Sequence, residues 1–156
     1  MNEFDDLGYF DEEGDGSDDN NKKGKFNKGN EPDNEDFSNF QYDSDSLEEY
    51  IASLYEDQDY EKALKYVNIL LELYPYSTEG YHKKALILDG LARYDESIIY
   101  YYKAISLNPS DIEVLLNKAI TLDNSENYDK ALELFNTVLE MEPQNSDALF
   151  NMGLTY

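Results

Sequence analysis

Prolines recur at a fixed interval in this chain, and that interval constrains the fold more than any other feature. Pro75, Pro109 and Pro143 lie 34 residues apart. Three further series share the interval: Tyr60, Tyr94 and Tyr128; Leu54, Leu88 and Leu122; and the small residues Ala63, Ser97 and Ala131. Four independent series with one period indicate a repeat protein, in which each unit buries its apolar face against its neighbours.

Each repeat unit is predicted to hold two helices. In the second unit Tyr81, Ala85 and Leu88 are spaced i, i+4, i+7, which places them on one face of a helix. A short polar turn is expected around Gly90, and a second helix near Tyr94. The sequence therefore predicts a stack of helical hairpins.

Local signals at the ends of the units agree with this prediction. Pro109 stops a helix because it lacks an N–H and clashes with the preceding turn. Asp111, in the pair Ser110-Asp111, is suited to cap the next helix. Small residues at equivalent positions should let paired helices approach closely. They are Ala63, Ser97 and Ala131 on the second helices, and Ala85, Ala119 and Gly153 on the first.

Together these positions resemble the tetratricopeptide repeat family. The resemblance implies an all-α fold, a right-handed superhelix of helical hairpins. It divides the chain into repeat units at residues 44–77, 78–111 and 112–145, followed by the first helix of an incomplete fourth unit at 146–156. Residues 1–43 are left as a tail.

Some positions depart from the family pattern. Ile51 stands where a small residue is usual, so we expect the first hairpin to pack loosely or to start off register. Lys84 and Lys118 stand at a position that is usually apolar. We expect their stems to cover apolar surface while their ammonium groups stay in water.

Charge divides the chain into two parts. Residues 1–46 hold 15 acidic residues and four lysines, a net of −11; the remainder has a net of −12, and the two sum to −23. The acidic, apolar-poor tail is expected to be disordered. Such a charge argues against binding nucleic acid or an anionic membrane. The chain has no cysteine, no signal peptide and no spanning apolar run, so we expect a cytoplasmic protein.

The resemblance also implies that the first helices line a concave groove. The predicted partner-binding residues are Glu48, Ala52, Tyr55, Glu79, His82, Lys83, Leu86, Asp89, Glu113, Leu116, Asn117, Ile120, Asp123, Phe150, Asn151 and Leu154. This groove is mostly acidic, with apolar anchors, so we expect a basic or mixed ligand. The alternative is that the carboxylates form only a solvated face.

One ligand class of the family is predicted to be absent. Some members hold the C-terminal carboxylate of a peptide with a clamp of Lys, Asn and Arg residues. The clamp positions here carry Glu48, Ala52, Lys83, Glu113 and Asn117. Carboxylates at these points would repel an acidic tail.

No catalytic group, cofactor site or metal site is predicted. His82 is the only histidine and has no Cys to join it. In the tail, Asp11, Glu13, Asp15 and Gly16 are similar to the start of an EF-hand loop, but Lys22 replaces the required Glu. The sequence favours a non-catalytic scaffold that binds a protein or peptide partner of unknown identity.

The last helix has no partner helix within the chain, which leaves two expectations. One is an interaction domain cut from a longer repeat protein or enzyme, whose activity lies in a missing C-terminal region. The other is that a second chain covers this helix, including self-association of the protein.

Overall fold

The computed structural model describes residues 43–156, which form seven α-helices and no strand. The helices are α1 (Ser44–Glu56), α2 (Tyr60–Leu73), α3 (Thr78–Gly90), α4 (Tyr94–Leu107), α5 (Ile112–Asn124), α6 (Tyr128–Met141) and α7 (Ser146–Thr155). The predicted all-α fold of helical hairpins is confirmed. The predicted disordered tail and the EF-hand-like segment lie outside the described residues, apart from Asp43.

The helices keep the register of the sequence repeat. The first helices of successive hairpins begin at Ser44, Thr78, Ile112 and Ser146, each 34 residues after the last. Ile51 is 1% exposed and packs in the core between α1 and α2. The expectation of an off-register first hairpin is therefore wrong, because α1 keeps the 34-residue interval with Ile51 accommodated in the interior. The looser packing of this hairpin stays a prediction.

The turns inside the hairpins share one left-handed residue. Gln58, Ala92 and Glu126 have φ values of 60°, 55° and 62°. In the second hairpin the N–H of Ala92 donates to the carbonyl of Asp89 and the N–H of Arg93 to that of Leu88, both at 2.8 Å. This pair of bonds satisfies carbonyls at the end of a helix, and it reverses the chain within three residues.

Gly90 directly precedes the turn that the sequence predicted around it, and it has a second role. It is the last residue of α3, with no left-handed backbone. A Cβ at this position would lie 2.7 Å from the ring of Tyr60. The glycine therefore permits close approach between α3 and the start of α2.

Side chains cap four of the helices at their N-termini. Asp111 accepts from the N–H of Val114 at 3.2 Å, as the sequence predicted. Ser77 accepts from Gly80 at 2.8 Å and Asn145 from Ala148 at 2.9 Å. Asp59 caps α2 in the same way. Each cap satisfies a backbone donor that the helix itself leaves unpaired.

Small residues lie where the helices approach each other. Ala63, Ala85, Ser97, Ala119 and Ala131 have no exposed surface. Ser97, which replaces alanine in the repeat, donates from its Oγ to the carbonyl of Ala85 at 2.8 Å and so joins α3 to α4. Its hydroxyl is buried at little cost because it is paired.

Gly153 does not share this role. It is exposed, and within residues 43–156 no atom lies within 4 Å of the place where its Cβ would be. The expectation that it supports a close helix contact is therefore wrong for the described chain, because α7 packs against its neighbours through buried Ala148 instead.

The two lysines at usually apolar positions lie against tyrosine rings. Lys84 Nζ is 4.1 Å from the ring centroid of Tyr100, and Lys118 Nζ is 3.3 Å from that of Tyr102. Lys118 is only 6% exposed, so its stem is buried, as the sequence predicted. The ammonium lies over the π face of Tyr102, which can attract it as a cation.

The core is divided among the hairpins. One cluster joins α1, α2 and Ile87 of α3; a second contains Tyr101 and Val114 between α3, α4 and α5; a third joins α5, α6 and α7. Each hairpin thus covers the apolar face of the next, as a repeat array requires.

Candidate functional site

The first helices of the hairpins form one side of the stack. Within residues 43–156, α1 contacts α3, α3 contacts α5 and α5 contacts α7, whereas α2, α4 and α6 contact only first helices. Helices that lie closer together occupy the inner side of a curved array, so the first helices line its concave surface.

The predicted groove residues differ widely in exposure. Glu79, Glu113, Phe150 and Leu154 are exposed; Glu48, Ala52, Tyr55, Lys83, Leu86, Asp89, Asn117, Ile120, Asp123 and Asn151 are partly buried; His82 and Leu116 are buried. The exposed and partly buried side chains are accessible to a ligand in this conformation. Whether any of them binds a partner stays a prediction.

His82 joins two first helices instead of lining an open groove. It is 5% exposed, and its Nε2 lies 3.0 Å from Nδ2 of Asn117 on α5. The amide donates, so Nε2 carries no proton. Burial lowers the pKa of His82, and the carboxylates of Glu79 and Glu113 partly oppose this shift. His82 is therefore a buried contact between α3 and α5 in this structure, and a role in partner binding stays a prediction.

A small pocket opens between α1 and α3. It has a volume of about 110 Å³ and is lined by Ile51, Ala52, Tyr55, Glu56, Lys83, Leu86 and Ile87. Ligand pockets for cofactors and small molecules usually hold roughly 300–1,000 Å³. This pocket is therefore suited to a single side chain. Ala52, Tyr55, Lys83 and Leu86 were predicted groove residues, and the structure brings these four together.

Sequence reasoning missed Ile51 and Ile87 as the floor of this pocket. A signal for the pocket exists in the repeat register. The position of Ala52 is occupied by Leu86, Ile120 and Leu154 in the following units. Only the first unit has a short side chain there, and the pocket lies at that point.

One carboxylate, Glu56, lines the pocket, and others lie nearby on α1 and α3. Lys83 Nζ is 2.5 Å from Oε1 of Glu79, so its charge is already paired. Burial raises the pKa of Glu48, and Lys83 opposes this shift. Burial also raises the pKa of Asp89, opposed by hydrogen bonds from Thr121 and Asn124. Partly desolvated carboxylates of this kind favour a cationic neighbour.

Larger depressions lie elsewhere, at the turns. The one lined by Ala92–Glu96 and Asn124–Glu126 holds about 410 Å³. It is formed mostly by polar residues at two turns, and none of the groove residues named above lines it. The pocket between α1 and α3 is therefore the stronger candidate, despite its smaller volume.

Residues 43–156 hold neither a metal-ligand cluster nor a membrane-spanning helix. No group of three or more His, Cys, Asp or Glu side chains there is arranged to hold a metal ion. None of the seven helices in that range is long and apolar enough to span a bilayer.

Part of the helical segment matches a known family. Residues 86–149 match the family model described as tetratricopeptide repeat. The helical segment is similar to tetratricopeptide repeats over those residues. No curated protein matches the chain in sequence.

Solved structures of tetratricopeptide repeat domains are similar to this one. The Arabidopsis OM64 TPR domain superposes with a TM-score of 0.67 and 19% identity, covering 72% of this chain and 93% of that one. The first TPR of Spaghetti (RPAP3) bound to the HSP90 peptide SRMEEVD superposes with a TM-score of 0.68 and 18% identity, covering 72% of this chain and 89% of that one. The second TPR domain of human RPAP3 in complex with the HSP70 peptide SGPTIEEVD superposes with a TM-score of 0.67 and 18% identity, covering 72% of this chain and 93% of that one. These likenesses show the fold.

Proposed function

We propose that this protein is a non-catalytic interaction module that holds a peptide or helix of a partner protein in its concave groove. The ligand is basic, or basic with apolar residues. The observation that carries the proposal is the apolar pocket between α1 and α3, which has Glu56 in its lining and further carboxylates, Glu48, Glu79 and Asp89, on the same two helices. An apolar floor inside an acidic rim suits a segment that pairs cationic and apolar side chains.

The similar domains provide a useful contrast. The peptides bound by two of them end in Glu-Glu-Val-Asp, so those ligands are acidic. In this chain Glu48 and Glu113 stand at the positions of a carboxylate clamp, and the ammonium of Lys83 already pairs with Glu79. An acidic ligand would meet repulsion here, which supports a ligand of opposite charge.

Peptide titration tests the proposal. Fluorescence anisotropy of the full chain would compare short peptides of equal length, one rich in Lys and Leu and one rich in Glu and Leu. The basic peptide is expected to bind more tightly, and its affinity should fall as salt is added because exposed charges are screened. Tighter binding of the acidic peptide would overturn the proposal.

A matched pair of variants locates the binding surface. Glu113→Lys reverses an exposed charge on α5 in the groove, and Glu133→Lys makes the same change on the exposed surface of the outer helix α6. The first is expected to weaken binding of the basic peptide several-fold, and the second to change it little. Equal effects of the two variants would place binding outside the groove.

Self-association through α7 is a second candidate. Leu149, Phe150 and Leu154 are 52%, 67% and 66% exposed, and they form an apolar surface. Such a surface is typical of a protein contact. Sedimentation equilibrium checks it: a dimer that Leu149→Asp dissociates supports the candidate, and a monomer at all concentrations excludes it. The cytoplasmic location and membership of a longer protein stay predictions.

A further inference from the structure

We infer that the pocket between α1 and α3 takes one aliphatic or methionine side chain of the bound segment, next to a Lys or Arg of that segment. This inference rests on the proposed function and deepens it. The occupant is a partner segment in which a single unbranched or γ-branched apolar residue is flanked by cationic ones.

The repeat itself shows what fits the pocket. Ala52 is followed at the same register by Leu86, Ile120 and Leu154. Leu86 and Ile120 are partly buried on the concave face, where their side chains fill the space between successive first helices. In the first unit alanine leaves that space empty, and about 110 Å³ remains. An aliphatic side chain from a ligand would replace the one that the first unit lacks.

The floor of the pocket is preformed. Ile51 and Ile87 are each 1% exposed and belong to the core cluster of the first hairpin. Their positions are set by core packing, so a ligand side chain would enter without rearranging the helices. A charged group would lose its hydration against these side chains, and this excludes a Lys or Glu as the inserted residue.

The rim selects the neighbours of the inserted residue. Glu56 lines the pocket, and Glu48, Glu79 and Asp89 lie about one turn or less from its lining residues along α1 and α3. The one cation in the lining is Lys83. The excess is three negative charges. Cationic residues on either side of the inserted side chain would be attracted to this rim, and acidic ones repelled.

The inference is tested in the full chain with two labelled peptides and with one variant whose pocket is filled by a larger side chain. The peptides are a Lys-rich segment with one central Leu and the same segment with Ala instead. Replacing Leu by Ala is expected to lower affinity for the unchanged protein by roughly tenfold, because the buried apolar surface is lost. In the variant Ala52→Leu the pocket is filled as in the later units, and the two peptides are expected to bind equally.

Asn136→Leu is the matched control, since it adds the same side chain to the exposed surface of α6. It should leave the Leu-to-Ala difference intact. A second measurement needs no variant: methyl NMR signals of Ile51 and Ile87 should shift with the Leu peptide and not with the Ala peptide.

The outcomes separate this inference from the function on which it rests. If both peptides bind the unchanged protein equally and Glu113→Lys still weakens them, the pocket assignment is wrong and the acidic groove remains. If the Leu peptide retains its advantage with Ala52→Leu, the pocket assignment is also wrong. If neither peptide binds, both the inference and the proposed function fail.

Discussion

At the scale of single residues, the hairpin turns carry a backbone conformation that their side chains disfavour. Ala92 has a φ of 55° and is exposed. A non-glycine residue costs roughly 1–2 kcal/mol in this region. We expect Ala92→Gly to raise the free energy of unfolding by about 0.5 kcal/mol, after the larger entropy of the unfolded glycine is deducted. Urea denaturation followed by circular dichroism measures the change.

A matched control distinguishes relief of this strain from a general effect of glycine. Ala52 lies inside α1 with helical neighbours, and Ala52→Gly is expected to lower the free energy of unfolding by about 1 kcal/mol. If both variants destabilise the protein, the turn residue is not strained in solution.

At the scale of helices, His82 should make the contact between α3 and α5 sensitive to pH. Burial lowers its pKa in the folded protein, so the unfolded chain takes up the proton first as the pH falls. Stability contributed by neutral His82 is therefore present above the unfolded pKa of about 6.5 and is lost as the pH falls toward the folded pKa. The stability of the native chain relative to His82→Gln should decline between about pH 7.5 and pH 5.5.

Comparison with His82→Gln removes the contributions of other groups. The pKa values of Glu48 and Asp89 are raised by burial, and these carboxylates stabilise the fold in the opposite direction as the pH falls. They are present in both proteins and cancel in the difference. Parallel pH profiles for the two proteins would contradict the assigned role of His82.

The contact of α4 with α5 includes an ammonium that lies over an aromatic ring. Lys118 Nζ lies 3.3 Å from the centroid of Tyr102. Tyr102→Phe keeps the ring and should cost less than about 0.5 kcal/mol, whereas Tyr102→Leu should cost about 1 kcal/mol or more. Chemical denaturation is also applied to Lys118→Met and to the double variant with Tyr102→Leu. Together with the unchanged protein these form a double-mutant cycle, which measures the coupling between the Lys118 and Tyr102 side chains. A coupling near zero would show that the ring only covers the lysine stem.

At the scale of the whole molecule, the net charge of −23 opposes the compact state. Salt screens this repulsion. Raising NaCl from about 0.01 M to 0.2 M shortens the screening length from roughly 30 Å to under 10 Å, and we expect the melting temperature to rise by a few degrees. A variant with Glu133→Gln and Glu140→Gln should respond less. A melting temperature that falls with salt would show that attractive pairs outweigh the repulsion.

Features that depend on local sequence were predicted well. The second helices begin at Tyr60, Tyr94 and Tyr128, and Asp111 caps α5, because caps and apolar spacing act within one or two turns. Features that depend on a neighbouring helix were not. The burial of His82 and the close helix approach at Gly90 were not foreseen, because their surroundings come from Asn117 and Tyr60 on other elements.

The 34-residue period by itself determined the helical hairpins, their number within the described chain and the face on which each helix is apolar. These follow from spacing along one chain, where 3.6 residues make a turn. How deeply each predicted groove residue is buried was decided only by tertiary structure. The pocket exists because Ala52 on α1 faces Leu86 and Ile87 on α3 across a contact between two hairpins. Empty space is a property of neighbouring surfaces, so it is set by the approach of the helices and not by either helix alone.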